Sequence, residues 1–242
     1  MADPRIPQFV SASLERLDIA LADAQLTLLA DYVDRLLEAN QRMNLTAARE
    51  PDAAWQRLIL DSLTLVAGLE SDPAGVQLID VGTGGGIPGI PLAIARPDIR
   101  VTLLDATGKK VRFLQECIDA LPLANVRAIQ ARAEEAGQDP AHREHYDLAV
   151  CRAVGTVAEV LEYTLSLVGV RGRVLAMKAS QAERELRDAT DALAILGGGE
   201  VQVVEAYPPD FEQELVVISV LKERPTPPDY PRRPGMAKQS PL

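Results

Sequence analysis

Apolar residues recur every three or four positions in the first seventy residues, which is the spacing of one buried helix face. The clearest stripe is formed by Leu26, Leu29, Val33 and Leu36. Asp23 stands just before this stripe and is a candidate N-cap, and a second helix is expected from about Asp52. We therefore predict a helical N-terminal extension over residues 1–70.

The pattern then changes to short apolar runs that alternate with helix-like stretches. The five runs are residues 76–81, 99–105, 125–130, 146–152 and 172–178. Alternation of this kind predicts right-handed crossovers and a parallel sheet covered by helices on both faces. Two more runs follow, at residues 200–207 and 213–222, and the five residues between them are too few for a parallel crossover. The sequence thus predicts an α/β, Rossmann-like fold with a seven-stranded, mostly parallel sheet and a C-terminal antiparallel hairpin.

Composition narrows the class of protein. The chain has 242 residues, of which 47% are hydrophobic, enough for one domain with an appendage. No apolar run is long enough for a membrane span, and no signal peptide is recognisable, so no membrane association is expected. Two cysteines form no disulfide framework, which favours a reducing, cytoplasmic location.

Charge is distributed unevenly. The net charge of −10 argues against broad nucleic-acid binding unless basic residues gather locally. Residues 108–132 and 222–242 each hold five basic residues against two acidic ones. These segments are therefore candidate phosphate-docking sites, and the second overlaps a basic, proline-rich arm predicted over residues 225–242.

The candidate chemistry lies in the glycine-rich stretch LIDVGTGGGIPGIPLAI, residues 78–94, between the first strand and a helix. Glycines allow backbone amides to approach a ligand, and the helix offers its positive N-terminus. The spacing Gly82-x-Gly84-x-Gly86 fits a methyltransferase loop, whereas reading from Gly84 to Gly89 gives the dinucleotide fingerprint. Asp80 is ill placed beside a pyrophosphate but suits the cationic end of S-adenosylmethionine. Together with the hairpin, it favours methyl transfer, with Thr83 and the loop amides facing the methionine part.

Several further segments carry a family resemblance. They are NLTA (44–47), ILDSL (59–63), IDVGTGGGIPGIPLAI (79–94), LLDATGKKVRFL (103–114), ARAEE (131–135), CRAV (151–154), AMK (176–178) and YPRRPGMAKQSPL (230–242). With these, the chain resembles the RsmG-type guanine-N7 methyltransferases of 16S ribosomal RNA, also called the glucose-inhibited division protein B family. The resemblance implies a class I methyltransferase domain, here residues 71–224, that binds S-adenosyl-L-methionine.

The resemblance also implies site residues. Cofactor contacts are expected at Gly82, Ile87, Asp105, Ala106, Thr107, Ala133, Glu134 and Arg152, next to the loop residues Asp80, Thr83, Gly84 and Gly86. Asp105 would accept from the ribose hydroxyls, and Ala133–Glu134 would meet the adenine edge. Arg152 and Lys178 are the candidate catalytic residues, acting by positioning. The expected RNA contacts are Lys109, Lys110, Arg112, Arg232, Arg233 and Lys238.

The implied reaction needs few protein groups. Guanine N7 has a lone pair and no proton, so in-line transfer requires no general base, no nucleophile and no metal. The implied partner is 16S rRNA in the small ribosomal subunit or its assembly intermediate, and a monomer is expected. Three alternatives stay open: a small-molecule methyltransferase, a nicotinamide oxidoreductase using the dinucleotide spacing, and a non-catalytic cofactor-binding module.

Overall fold

The computed structural model describes residues 3–69, 74–179, 182–209, 211 and 214–242, and is built on one seven-stranded sheet. The strands are β1 Gln77–Val81, β2 Arg100–Asp105, β3 Val126–Gln130, β4 Tyr146–Arg152, β5 Val168–Lys178, β6 Gly198–Glu205 and β7 Val216–Lys222. Their order in the sheet is β3-β2-β1-β4-β5-β7-β6. β1 to β5 are mutually parallel, and β7 is antiparallel to both β5 and β6. The predicted sheet is confirmed, although the predicted hairpin strand at 213–222 starts outside the described residues.

Helices cover both faces of the sheet. They are α5 Gly89–Ala95, α6 Gly108–Ala120, α7 Ala133–Gln138, α8 Val157–Leu165, α9 Ala182–Asp188 and α10 Thr190–Leu196. Successive residues of β1 point to opposite faces, so Leu78 packs into a core with α5 and α6, and Ile79 into a core with α8 and α10. None of the helices in the described ranges is long and apolar enough to cross a membrane.

The N-terminal extension is helical, as predicted. It contains α1 Gln8–Arg16, α2 Asp23–Met43, α3 Pro51–Ala54, a π-helical segment Trp55–Leu60, and α4 Asp61–Leu63. The predicted N-cap at Asp23 is wrong, because Asp23 is the first residue of α2 and Ala22 is the cap. The Gln25 side chain accepts the Ala22 N–H at 2.9 Å, and the amides of Gln25 and Leu26, which an Asp23 cap would have served, donate to the Ala22 carbonyl at 2.9 and 3.1 Å.

The extension shares one core with the sheet. Leu29, Val33 and Leu36 of the predicted stripe are buried in the same cluster as α5 and α6. The division into residues 1–70, 71–224 and 225–242 stays a prediction. Its first boundary, between residues 70 and 71, lies in the segment 70–73, which is outside the described residues.

The C-terminal arm packs on the sheet side that carries α7 and α8, and it ends in α11 Met236–Gln239. Arg143 donates to the carbonyls of Gly137, Thr226 and Tyr230 at 2.7 Å each, and to that of Pro227 at 3.1 Å. One guanidinium therefore joins α7 to the start of the arm.

We expect Arg143→Leu to lower the free energy of unfolding by about 2–4 kcal/mol, because several buried carbonyls lose a charged donor together. Urea denaturation measures this loss. Arg184→Leu on the exposed face of α9 serves as the control and should change stability by less than about 0.5 kcal/mol. Equal stability of the two variants would contradict the assigned role of Arg143.

Candidate functional site

The loop between β1 and α5 has a backbone that only glycine adopts without strain. Gly82 and Gly84 have φ angles of 72° and 61°, in the left-handed region. A Cβ on Gly82 would also lie 2.9 Å from Cγ2 of Val154, so the loop passes close to the chain that follows β4. The glycine spacing read from the sequence therefore reflects a real conformational requirement.

Asp80 lies beneath this loop and is fully buried. Its Oδ2 accepts from Thr83 Oγ1 at 2.6 Å and from the Gly89 amide at 2.8 Å, while Oδ1 has no hydrogen-bond partner among the described residues. Burial raises the pKa of Asp80 to about 7, against the lowering effect of these two donors. Asp80 thus holds the loop to the start of α5, and it does not line the cavity described below.

Asp105 holds the same loop from the end of β2. Its Oδ2 accepts from the Gly84 amide at 3.0 Å, and its Oδ1 accepts from the Thr107 amide at 2.8 Å. Lys110, in the first turn of α6, lies 3.4 Å from Oδ2. A carboxylate has about four lone-pair sites, so this buried acid keeps capacity for further donors.

Helix α2 contacts the loop from the outside. The hydroxyl of the buried Tyr32 donates to the carbonyl of Gly85 at 2.8 Å. A Cβ on Gly85 would lie 2.7 Å from Cδ1 of Leu36, so any side chain at this position would force Leu36 of α2 to move. The extension is therefore part of the site, not a separate attachment.

A cavity of about 600 Å³ opens between the glycine loop and the extension. On the sheet side it is lined by Gly82, Thr83, Gly84, Ile87, Lys110 and Arg152. On the other side it is lined by residues of the N-terminal extension, the first of which is Leu36 and the last Leu58. The structure thus brings together five of the predicted cofactor residues, Gly82, Thr83, Gly84, Ile87 and Arg152, and the sheet-side lining also includes Gly85 and Ala153. Asp105 adjoins them through its bonds to Gly84 and Lys110.

Arg152 ends β4 and reaches this cavity. Its Nη2 donates to Oδ2 of Asp61 at 2.8 Å, and the Tyr207 hydroxyl donates to Oδ1 of the same acid at 2.7 Å. Nη1 of Arg152 is buried and has no hydrogen-bond partner in the part of the chain that the structure describes. Burial raises the pKa of Asp61, although Arg152 and Tyr207 oppose the shift, and burial also raises the pKa of Tyr207. The guanidinium is thus held through Nη2, while the hydrogen-bonding capacity of Nη1 is unused.

Two predicted cofactor segments lie outside the lining of this cavity. Ala133 and Glu134 begin α7, after β3, and Oε1 of Glu134 accepts from the Gly235 amide of the arm at 2.9 Å. Gly86, Ala106 and Thr107 also lie outside it. Their contact with a cofactor stays a prediction.

The two candidate catalytic residues have different surroundings. Unlike Arg152, Lys178 does not line the cavity, and its Nζ donates to the Gly155 carbonyl at 2.5 Å and to Oε2 of Glu185 at 2.9 Å. Glu185 also accepts from the Val157 amide at 3.1 Å. These contacts make Lys178 a brace for the chain that follows Arg152.

The predicted RNA contacts are dispersed. Lys109 and Arg112 are exposed on α6 and line a separate cavity of about 330 Å³ against α2, whereas Lys110 faces the main cavity. Arg232 forms a paired contact with the buried Glu162, with Nη2 2.6 Å from Oε2. Of the predicted arm contacts, Arg233 and Lys238 are exposed.

Four residues of the site were not singled out from the sequence: Tyr32, Arg49, Arg57 and Asp61. Asp61 lies in the segment ILDSL, and Arg49 comes two residues after NLTA, so the resemblance marked both places without giving either side chain a role. In the part of the chain that the structure describes, no group of three or more histidine, cysteine, aspartate or glutamate side chains is placed to hold a metal ion.

The family described as GidB, rRNA small subunit methyltransferase G, has a model that matches residues 25–216. The chain belongs to this family. The ribosomal RNA small subunit methyltransferase G of Moorella thermoacetica is 41% identical over 224 residues, which cover 93% of each chain. The protein of the same name from Leuconostoc citreum is 39% identical over 238 residues, or 98% of this chain and 99% of the relative. The resemblance inferred from the sequence is confirmed.

Solved structures show the same fold for this GidB family member. The apo form of the S-adenosylmethionine-dependent methyltransferase SibL matches with a TM-score of 0.56 and 18% identity, covering 89% of this chain and 74% of SibL. A predicted O-methyltransferase from Agrobacterium tumefaciens matches with a TM-score of 0.53 and 18% identity, covering 67% of this chain and 82% of that protein. The Rossmann-like methyltransferase fold is thereby confirmed.

We expect Asp80→Asn to change how stability depends on pH in this GidB family member. The pKa of Asp80 rises from 3.8 to about 7 on folding, so the acid favours the native state below pH 3.8 and loses that contribution as pH rises to about 7. Asparagine does not titrate. The stability of the variant relative to wild type should therefore be greater at pH 8 than at pH 5, measured by urea denaturation.

The matched control is Asp188→Asn on the exposed end of α9, whose effect should be the same at both pH values. A difference between Asp80→Asn and wild type that is equal at pH 5 and pH 8 would show that the buried carboxylate does not titrate in this range.

Proposed function

We propose that this protein transfers the methyl group of S-adenosyl-L-methionine to N7 of a guanine in 16S rRNA. Family membership supports the general class, an S-adenosylmethionine-dependent rRNA methyltransferase. The observation that carries the assignment of the site is the cavity at the glycine loop, which Arg152 lines and where its buried Nη1 has no partner among the described residues.

The residues present fit this cofactor. The free Nη1 of Arg152 is a donor suited to the carboxylate of the methionine part, because a buried unpaired guanidinium N–H is costly. Asp105 has spare acceptor capacity for ribose hydroxyls, and the amides of the loop from Gly82 to Ile87 lie next to it. The proposed cofactor residues are those named from the sequence, with Asp80 acting through the loop.

When bound, the cofactor supplies an electrophilic methyl group on a sulfonium. Guanine N7 carries a lone pair and no proton, so no side chain has to remove a proton. The task of the protein is to hold the acceptor atom in line with the methyl group. Arg152, fixed by Asp61, and the loop, fixed by Asp80 and Tyr32, provide rigid reference points for that placement. Lys178 would contribute indirectly, by bracing the chain after Arg152.

The proposed substrate also implies where in the cell the protein acts and on which particle. We place the protein in the cytoplasm, acting as a monomer on the small ribosomal subunit or on its assembly intermediate. The exposed basic residues Lys109, Arg112, Arg233 and Lys238 support docking on rRNA phosphates, because they form local positive charge on an acidic chain. Arg232 is proposed to act through the fold of the arm, since Glu162 already neutralises it.

Methylation at N7 can be mapped directly. We expect the purified protein with S-adenosylmethionine to modify small subunits from a strain that lacks the enzyme, at one guanine. Chemical cleavage at N7-methylguanine followed by primer extension should then give one new stop. Arg152→Ala should lose most of this signal. Methyl label found only in small metabolites, or in RNA without an N7-specific stop, would contradict the proposal.

Asp61 is expected to act as a positioning residue for Arg152. Asp61→Asn should raise the Kd for S-adenosylhomocysteine about tenfold, because a charged hydrogen bond that orients the guanidinium is weakened. Tyr207→Phe, which removes only the second bond to Asp61, should have a smaller effect. Calorimetric titration measures both values.

A double-mutant cycle separates positioning from a general loss of structure. Once Arg152 is alanine, Asp61→Asn should cost no further affinity, because there is no guanidinium left to orient. Fully additive losses in the cycle would show that Asp61 acts on the site by another route.

A further inference from the structure

The cavity has a second wall that no predicted cofactor residue occupies. It is formed by the N-terminal extension, from the end of α2 through the π-helical segment. Its floor is aliphatic and includes Leu45, Ala48 and Leu58, while Arg49 and Arg57 stand at its exposed rim. An apolar floor with cations at its rim has the chemistry of a nucleotide site.

The charge of the cavity also has the character of a nucleotide site. Four cations line it, Arg49, Arg57, Lys110 and Arg152, against the single carboxylate of Glu50. This concentration of positive charge stands out in a chain with a net charge of −10. Lys110 and Arg152 are already paired with Asp105 and Asp61, and the two arginines of the extension outnumber the one acid of the lining, Glu50, so the excess positive charge lies on the extension.

The wall is held in place before any ligand arrives. Asn40 is buried, and its Nδ2 donates to the carbonyls of Thr46 and Ala48 at 2.9 Å each, while its Oδ1 accepts from the Thr46 amide at 3.0 Å. Arg49 Nη1 donates to the Asn40 carbonyl at 3.0 Å. One asparagine therefore fixes the loop after α2 through its side chain and, through its carbonyl, the guanidinium of one rim arginine.

Arg57 is the cation best placed to bind a ligand. It is exposed on the π-helical segment, and within the described ranges the structure records no salt bridge for it. Arg49 uses Nη1 and Nη2 for bonds to Asn40 and Asn44 and keeps its other donors. Guanidinium groups bind phosphate oxygens in pairs and also stack on planar rings.

We infer that this wall is the binding site for the target nucleotide. The purine lies against the aliphatic floor between the glycine loop and the extension, and Arg57 and Arg49 bind the phosphates on either side of it. Among the described residues the cavity lining contains no aromatic side chain, so the purine is held by the aliphatic floor and by the phosphate contacts, without a stacking ring. This inference rests on the proposed function, to which it adds the residues that hold the acceptor.

The test compares Arg57→Gln and Arg49→Gln with wild type and with Arg100→Gln, an exposed arginine at the start of β2, on the opposite edge of the sheet. Initial rates of methyl transfer are measured on small ribosomal subunits at several salt concentrations. For each rim variant we expect the KM for subunits to rise about tenfold and the salt slope of log KM to fall by about one. The Kd for S-adenosylhomocysteine should stay unchanged, which also shows that the variants are folded.

A second measurement needs no turnover. Filter binding of protein-free 16S rRNA to the protein saturated with S-adenosylhomocysteine should weaken for Arg57→Gln and recover in part for Arg57→Lys. If wild type binds this RNA through Arg57 but methylates no guanine, the proposed function fails and the nucleotide site stands. If Arg57→Gln matches wild type and Arg100→Gln in KM, salt slope and RNA binding, the inference is overturned.

Discussion

The site depends on how the loop between β1 and α5 is held. Asp80 binds it from beneath, Asp105 from the neighbouring strand, and Tyr32 from the helical extension. The arrangement keeps a buried carboxylate whose second oxygen has no partner, which is a cost to stability. In return the loop amides and the cavity edge are fixed before a ligand binds, which is what in-line methyl transfer requires.

Arg152 joins the parts of the molecule that the loop alone does not connect. Asp61 comes from the extension, Arg152 from the central sheet, and Tyr207 from the chain after β6. A cation at the boundary between the proposed cofactor and nucleotide regions is therefore oriented by two segments, one before and one after the central strands in the sequence. In this account the extension serves two purposes, since it supports the glycine loop and also supplies the wall for the acceptor.

The order of elements could be predicted from hydrophobic spacing because the burial of each strand is visible in its own short run of apolar residues. The starts of β1 to β3 lie within one residue of the prediction, whereas β5 begins four residues earlier, at Val168. Contacts between distant residues had no such signal: Asp61 and Tyr207 are 146 residues apart. The sum of charges along a segment also did not predict which cations line the site. Arg232 lies in a basic segment but is neutralised by Glu162, while Arg57 lines the cavity and is outside both basic segments.

The central claim is that the glycine-loop pocket binds a sulfonium nucleoside and not a dinucleotide. Calorimetric titration of the full chain with S-adenosylhomocysteine and, separately, with NAD tests it most directly. We expect one-to-one binding of S-adenosylhomocysteine and no measurable heat with NAD. Saturable binding of NAD, with none of S-adenosylhomocysteine, would contradict it.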